Sequence, residues 1–355
     1  MIEPYNVLGL IPTFRGISDR EEIKTNLSHI HELMAAGCFL TSLDLPVKLV
    51  VIPEGALQGF NDEIFDLNHE DYARTCCVDI PGEETDTLGA YAREFNVFIA
   101  AQARARHEEH PNRYFNVGII INPAGEIVLK SYKIAPLYSS EHSVSPHDIY
   151  DWWVERYGNS INSFWPVADT EVGRIGMLIA NDGSYPEHAR ALAMNGAEII
   201  CRGPLPHPMT THDFAEIQNR ARALDNNAYV LAPGLGPYFL DANSETSIDA
   251  GGGQSMIVDF RGKIIGRQPS GAAPSFVSAT IDIEALRHYR SSATVTNWMK
   301  DLRTELYQLI YSEPIYPKNL CLNRPPMSHK EYRREVHDKQ VDLMHKRDIW
   351  KKPSP

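Results

Sequence analysis

Two short runs, KLVVIP at 48–53 and GMLIA at 176–180, are apolar at successive positions without polar alternation. A strand wetted on one face alternates polar and apolar residues, so a strand that does not alternate must be covered on both faces. Such runs alternate with helical patterns along most of the chain. YNVLGLIP, KLVVIP, NVFIAAQA, GMLIA and AYVLAP read as strands. Between them, ISDREEIKTNLSHIHELM, TLGAYAREF and DFAEIQNRARALDNN read as helices, the first opened by a Ser18–Glu21 capping box. This order points to an α/β chain whose strands are buried between helical layers.

Two hairpin patterns resemble each other. IIINPAGEIVLK and MIVDFRGKIIGR share an apolar triplet, a polar residue, a Gly, a charge and an apolar pair, each after a helix and a strand-rich segment. A duplicated half is the simplest source. The expected architecture is therefore a four-layer α-β-β-α sandwich with pseudo-two-fold halves. A single doubly wound sheet accommodates the hairpins less well. The expected division is a domain over 1–295 and a C-terminal extension over 296–355, where prolines interrupt the pattern and Ser328 and Glu331 open a charged helix. That helix is expected either to fray in solvent or to act as an inter-subunit arm through Tyr332, Val336, Leu343 and Trp350.

Composition narrows the function classes. A formal charge of −12 over 355 residues argues against nucleic acid or an anionic membrane as the main partner. No apolar run approaches a membrane span. The start, MIEPYNVLGLIPTF, has no basic segment followed by a long apolar one, and the five cysteines have no framework spacing. A reduced, cytoplasmic protein is the expectation. Cys76–Cys77 is not a C-x-x-C pair, and His207 and His212 lack a carboxylate spaced as in H-E-x-x-H. No metal and no cofactor are expected.

Candidate chemistry collects at strand ends. Glu54 follows KLVVIP at once, where desolvation raises a carboxyl pKa and suits a general base. Lys133 closes the strand EIVLKSYK, where a buried ammonium needs an acidic partner. The turn NDGSYPE follows GMLIA, with Pro186 and Glu187 fitted to a helix N-terminus. Ser184 has no G-x-S-x-G elbow or placed His and is expected to cap that helix. Cys201 is expected to be a small core residue.

Strand-Pro-Glu, hairpin-Lys and strand-x-x-Asp-x-x-aromatic-Pro-Glu, in this order over residues 5–285, resemble the nitrilase superfamily of carbon-nitrogen hydrolases, in particular its aliphatic amidase and formamidase branch. The resemblance implies a Glu54–Lys133–Cys triad with Ala180 at the Cys position. It places a second Glu at 141, and the Asn181 backbone N–H beside Lys133 at the oxyanion. It also implies a small-molecule amide-type substrate and a homodimer or larger homo-oligomer. Aromatic residues of that branch align with Gly55, Leu137 and Ser143, so a wider pocket and an acyl group larger than formyl or acetyl are expected. Tyr150, Trp152, Trp153 and Trp165 are read either as a lid or as packing. Retention of Glu54, Lys133 and Glu141 beside Ala180 fits a Cys-to-Ala change in an intact amidohydrolase, since a buried ion pair without a task has no advantage over apolar filling. The alternatives are a nitrilase acting on C≡N and a non-catalytic ligand-binding pseudoenzyme.

Overall fold

The computed structural model describes residues 1–138, 140–203, 213–249 and 253–354. Twelve strands make two six-stranded sheets. The first sheet holds β1 (Tyr5–Ile11), β2 (Val47–Val51), β3 (Phe98–His107), β4 (His110–Ile121) and β5 (Ile127–Tyr132). The second holds β6 (Val167–Thr170), β7 (Gly173–Ile179), β8 (Ile199–Gly203), β9 (Tyr229–Ala232), β10 (Ser255–Val258) and β11 (Ile264–Gln268). β12 (Ser275–Ile281) returns to the edge of the first, beside β1.

The sheet orders are β12-β1-β2-β3-β4-β5 and β11-β10-β9-β8-β7-β6. In each, three parallel strands are followed by an antiparallel hairpin and preceded by an antiparallel edge strand. The matching hairpin patterns in the sequence are β4–β5 and β10–β11, so the duplication extends to the strand directions.

Side-chain alternation explains the apolar runs. Leu49 and Val51 point into the core between the sheets, where they meet Ile175, Met177, Ile199 and Cys201. Val50 and Ile52 point outward against α1 (Ile23–Thr41) and α2 (Glu83–Phe95) through Ile30, Met34 and Leu88. On the other side, Leu178, Ile200 and Val230 pack on α3 (Pro186–Met194) and α4 (Phe214–Asn226) through Ala189, Leu192 and Ala223. The result is the four-layer sandwich, with Cys201 buried between its sheets.

Two capping expectations need correction. The first capping box is one residue later than read: Asp19 is the N-cap, and Glu22 reaches back to the backbone. Ser184 does not cap α3, which begins at Pro186 behind Tyr185 with no side-chain cap; the Ser184 hydroxyl is buried with no hydrogen-bond partner among the described residues.

The segment after residue 296 folds back on its own chain. Arg113 donates to the carbonyls of Cys321 and Arg324, Asn319 bonds Asp151, and Tyr332 packs on Tyr138. Val336 is buried within the single chain, while Trp350 is half exposed.

Candidate active site

Glu54, Lys133 and Glu141 meet where β2 and β5 end, and each is at most 2% exposed. The Lys133 ammonium donates to Glu54 Oε1 at 3.1 Å and to Glu141 Oε2 at 2.6 Å. Asn116, on β4, donates through Nδ2 to Glu54 Oε1 at 2.7 Å and Glu141 Oε1 at 3.0 Å. Gln102, on the neighbouring strand β3, donates to the side-chain amide oxygen of Asn116 and accepts from the Gly55 N–H. Ser143 donates to Glu141 Oε1 at 2.5 Å, and the Leu137 N–H donates to Glu141 Oε2.

One ammonium shared by two carboxylates separates their acidities. Burial raises Glu54, and the attraction of Lys133 does not fully offset it, so this carboxyl lies above its ordinary range. Burial also pushes Glu141 upward, but Lys133 and the donors from Lys133 and Ser143 outweigh it and hold Glu141 at about 2. For Lys133, burial disfavours the charge while Glu141 and Glu54 more than restore it, leaving a raised pKa. The site therefore contains a fixed anion, a fixed cation and a carboxyl whose acidity is weakened by burial.

Residue 180 is tied to this group through its neighbours. Asp182, buried in the turn after β7, accepts from the N–H groups of Ile134 and Ala135, the residues after Lys133. Asn181 donates through its amide to the Ala135 carbonyl at 2.9 Å. Ala180 is buried, with φ of +41°. A left-handed backbone costs an L-residue roughly 1–2 kcal/mol, so the surrounding turn imposes the conformation on this alanine. Gly203 at the end of β8 allows the sheets to close here: a Cβ on it would stand 2.5 Å from the Glu54 nitrogen.

Asp182→Ala removes the acceptor for two backbone N–H groups at this junction. At roughly 1–3 kcal/mol for each unsatisfied buried donor, a stability loss of about 2–6 kcal/mol is expected in urea unfolding. A loss below 1 kcal/mol would show that the junction is held elsewhere.

Several expected pocket features have other roles. Gly55, at φ +79°, opens no room, because a Cβ there would meet the Phe60 ring at 2.3 Å. Ser143 is fully buried against Glu141, and Leu137 is at the surface. The extra room expected at these three positions is thus absent at Gly55 and Ser143. A cavity of about 10 Å³ lies beside Glu54, Gln102, Ile179 and Gly203, the volume needed for about one water. Trp153 is buried and donates to the Ser163 carbonyl, Trp152 packs on His107 and His110, and Trp165 donates to His188. Tyr150 stacks on Phe164. These aromatics pack the fold and do not line the Glu54–Lys133 site. His207 and His212 lie outside the described residues.

Asn116, Gln102 and Asp182 carry the site's geometry and were not singled out as site residues from sequence. The available signal for Asn116 was a polar residue within the apolar run FNVGIII.

Residues 15–291 match the family model for carbon-nitrogen hydrolases. The chain belongs to the carbon-nitrogen hydrolase family. Among curated relatives of this family, a formamidase from Helicobacter acinonychis is 26% identical over 224 residues, 62% of this chain and 59% of that protein. A formamidase from Bacillus thuringiensis is 28% identical over 219 residues, 61% of this chain and 57% of that one. The matched region therefore spans less than two thirds of either relative. In fold, this carbon-nitrogen hydrolase is similar to Saccharomyces cerevisiae Nit3, a nitrilase superfamily member, with a TM-score of 0.61 at 21% identity over 82% of this chain and 96% of that one. A Cys-to-Ala mutant of a nitrilase superfamily amidase from Nesterenkonia AN1 gives a TM-score of 0.60 at 17% identity, over 86% and 97%.

Proposed function

We propose that the chain carries an amidase-type hydrolytic site for the C–N bond of an amide or N-carbamoyl group, in which residue 180 is the nucleophile position and is filled here by a methyl side chain. The observation that supports this most is Lys133 held between two carboxylates of opposed acidity, with the left-handed turn at residue 180 bonded through Asp182 to the two residues after Lys133.

With a thiol at position 180 the steps follow from the groups present. Glu54 accepts the thiol proton, and the sulfur attacks the carbonyl carbon. The oxyanion is met by the Lys133 ammonium and the Asn181 backbone N–H. Collapse breaks the C–N bond, and Glu54 returns the proton to the departing ammonia or amine. Water, deprotonated by Glu54, then attacks the thioester and releases the acid with the thiol restored. Glu141, fixed as an anion, keeps Lys133 charged and in place. With Ala180 the first step has no nucleophile, so the chain binds the amide without cleaving it. It is a Cys-to-Ala form of such an enzyme.

None of the native cysteines is placed to substitute. Cys201 lies in the core between the sheets, and burial pushes its thiol far up. The Cys38 and Cys76 thiols are raised to about 11 and Cys321 to about 12, again chiefly by burial, and burial also pushes Cys77 well above the ordinary thiol range.

The pH profile of the Ala180→Cys protein tests the role of Glu54. The base works only when ionised, and its pKa lies above 4.5. Hydrolysis should therefore be lost as pH falls through that raised value and persist above it. Initial ammonia release measured from pH 4 to 8 checks this; a profile flat to pH 4 would remove Glu54 from the proton transfer.

A further inference from the structure

Asp66, His142 and His329 come from three distant parts of the chain and place one ligand atom each within 4.8 Å of one another. His142 Nε2 is 2.7 Å from Asp66 Oδ1, and His329 Nε2 is 3.6 Å from the same oxygen. The Ser140 carbonyl oxygen accepts from His329 Nε2 at 2.7 Å, so in the metal-free chain this nitrogen carries the ring hydrogen, which a bound metal ion would replace. The two imidazole rings stack with centroids 4.8 Å apart and planes 16° from parallel.

The hydrogen-bond roles leave a vacancy for positive charge. His142 Nδ1 faces the Met327 carbonyl at 3.0 Å. A carbonyl only accepts, so Nδ1 carries the hydrogen. In the neutral ring Nε2 then presents a lone pair to the Asp66 carboxylate, and two lone pairs at 2.7 Å need a proton or a metal ion between them. An Nδ1–H held by a backbone carbonyl is the orientation that prepares Nε2 to bind a metal. Zinc holds nitrogen and oxygen at roughly 2.0–2.1 Å in a tetrahedron, which separates ligand atoms by about 3.3 Å. The 2.7 and 3.6 Å contacts to Asp66 lie either side of that spacing, and all three ligand atoms fall within 4.8 Å. Nearby, His69 has a buried Nε2 with no hydrogen-bond partner among the described residues.

We propose that Asp66, His142 and His329, with the Ser140 carbonyl at the fourth position, bind a divalent transition-metal ion of the zinc class. His142 follows Glu141, and His329 belongs to the segment after residue 296. The ion thereby fastens the C-terminal extension to the stretch that carries Glu141. Two imidazoles with oxygen donors favour zinc over magnesium or calcium, which take oxygen-only shells.

The test uses the tag-free full chain, stripped with EDTA and titrated with zinc chloride by calorimetry at pH 7.5, with magnesium chloride as control. One zinc per chain is expected, with no magnesium binding and a Tm rise of about 3 °C or more at a hundredfold excess over Kd. Asp66→Ala and His329→Ala should each lose the binding and the rise. Should either variant fail to fold, the stoichiometry and Tm of the parent still decide. Absence of saturable zinc binding, or equal zinc uptake by folded variants, would overturn the site. A Tm that responds to pH but not to zinc would assign the cluster a proton instead, and overturn it equally.

Discussion

The Ala180→Cys protein is expected to release ammonia or amine from a panel of short-chain amides at least roughly 10⁶-fold faster than the Ala180 chain. That is the scale on which loss of a hydrolase nucleophile lowers kcat, and it corresponds to about 8 kcal/mol of barrier. The size follows from what the substitution leaves in place. Glu54, Lys133, Glu141 and Asn116 are already joined by hydrogen bonds, and the turn already holds residue 180 at φ +41°. On the proposed reading a thiol at position 180 needs no rearrangement of these hydrogen bonds. Substrate affinity should change little, because a methyl and a thiomethyl group differ by one atom. Ammonia assays and product acid by chromatography decide the matter. Tight binding without turnover in the cysteine-bearing protein would instead favour a ligand-binding role.

The second large effect concerns stability. Arg104 is wholly buried on β3. It donates through Nε to Asp62 at 2.8 Å, through Nη2 to Glu63 at 2.5 Å, and through Nη1 to the Gly59 carbonyl at 2.9 Å. Tyr114 adds a hydrogen bond to Asp62 at 2.7 Å. The guanidinium thus ties the loop after Glu54 to the first sheet. Arg104→Met keeps most of the volume but leaves two buried carboxylates without their counter-charge. Removing one member of a buried ion pair costs about 3–5 kcal/mol, so urea unfolding should show a loss of that size. Asp62→Asn in the Arg104→Met protein should recover part of it by removing one unpaired charge. A loss under 1 kcal/mol would mean that water reaches the pair.

The layers of the fold could be read from residue patterns because apolar alternation is a local property. Leu49 and Val51 face inward and Val50 outward by the geometry of a strand alone. The matching hairpins disclosed the two halves for the same reason. Glu54, Lys133 and Glu141 were legible through their order and their strand-end contexts. Asn116, Gln102 and Arg104 were not, since a polar residue in a strand has the same appearance facing water or facing a buried carboxylate. Gly55 misled because pocket room depends on the neighbour: the Phe60 ring stands where a Cβ would go. The grouping of Asp66 with His142 and His329 is invisible to spacing rules, with the first pair 76 positions apart and Asp66 and His329 263 apart.

Alkylation of the Ala180→Cys protein by iodoacetamide at pH 7, followed by peptide mass spectrometry, tests most directly whether position 180 faces an acid and an ammonium. The native thiols are buried and raised, so a single fast adduct at position 180 is predicted, slowed at least tenfold by adding Glu54→Gln. Labelling at position 180 no faster than a free thiol, or indifferent to Glu54→Gln, would contradict the account.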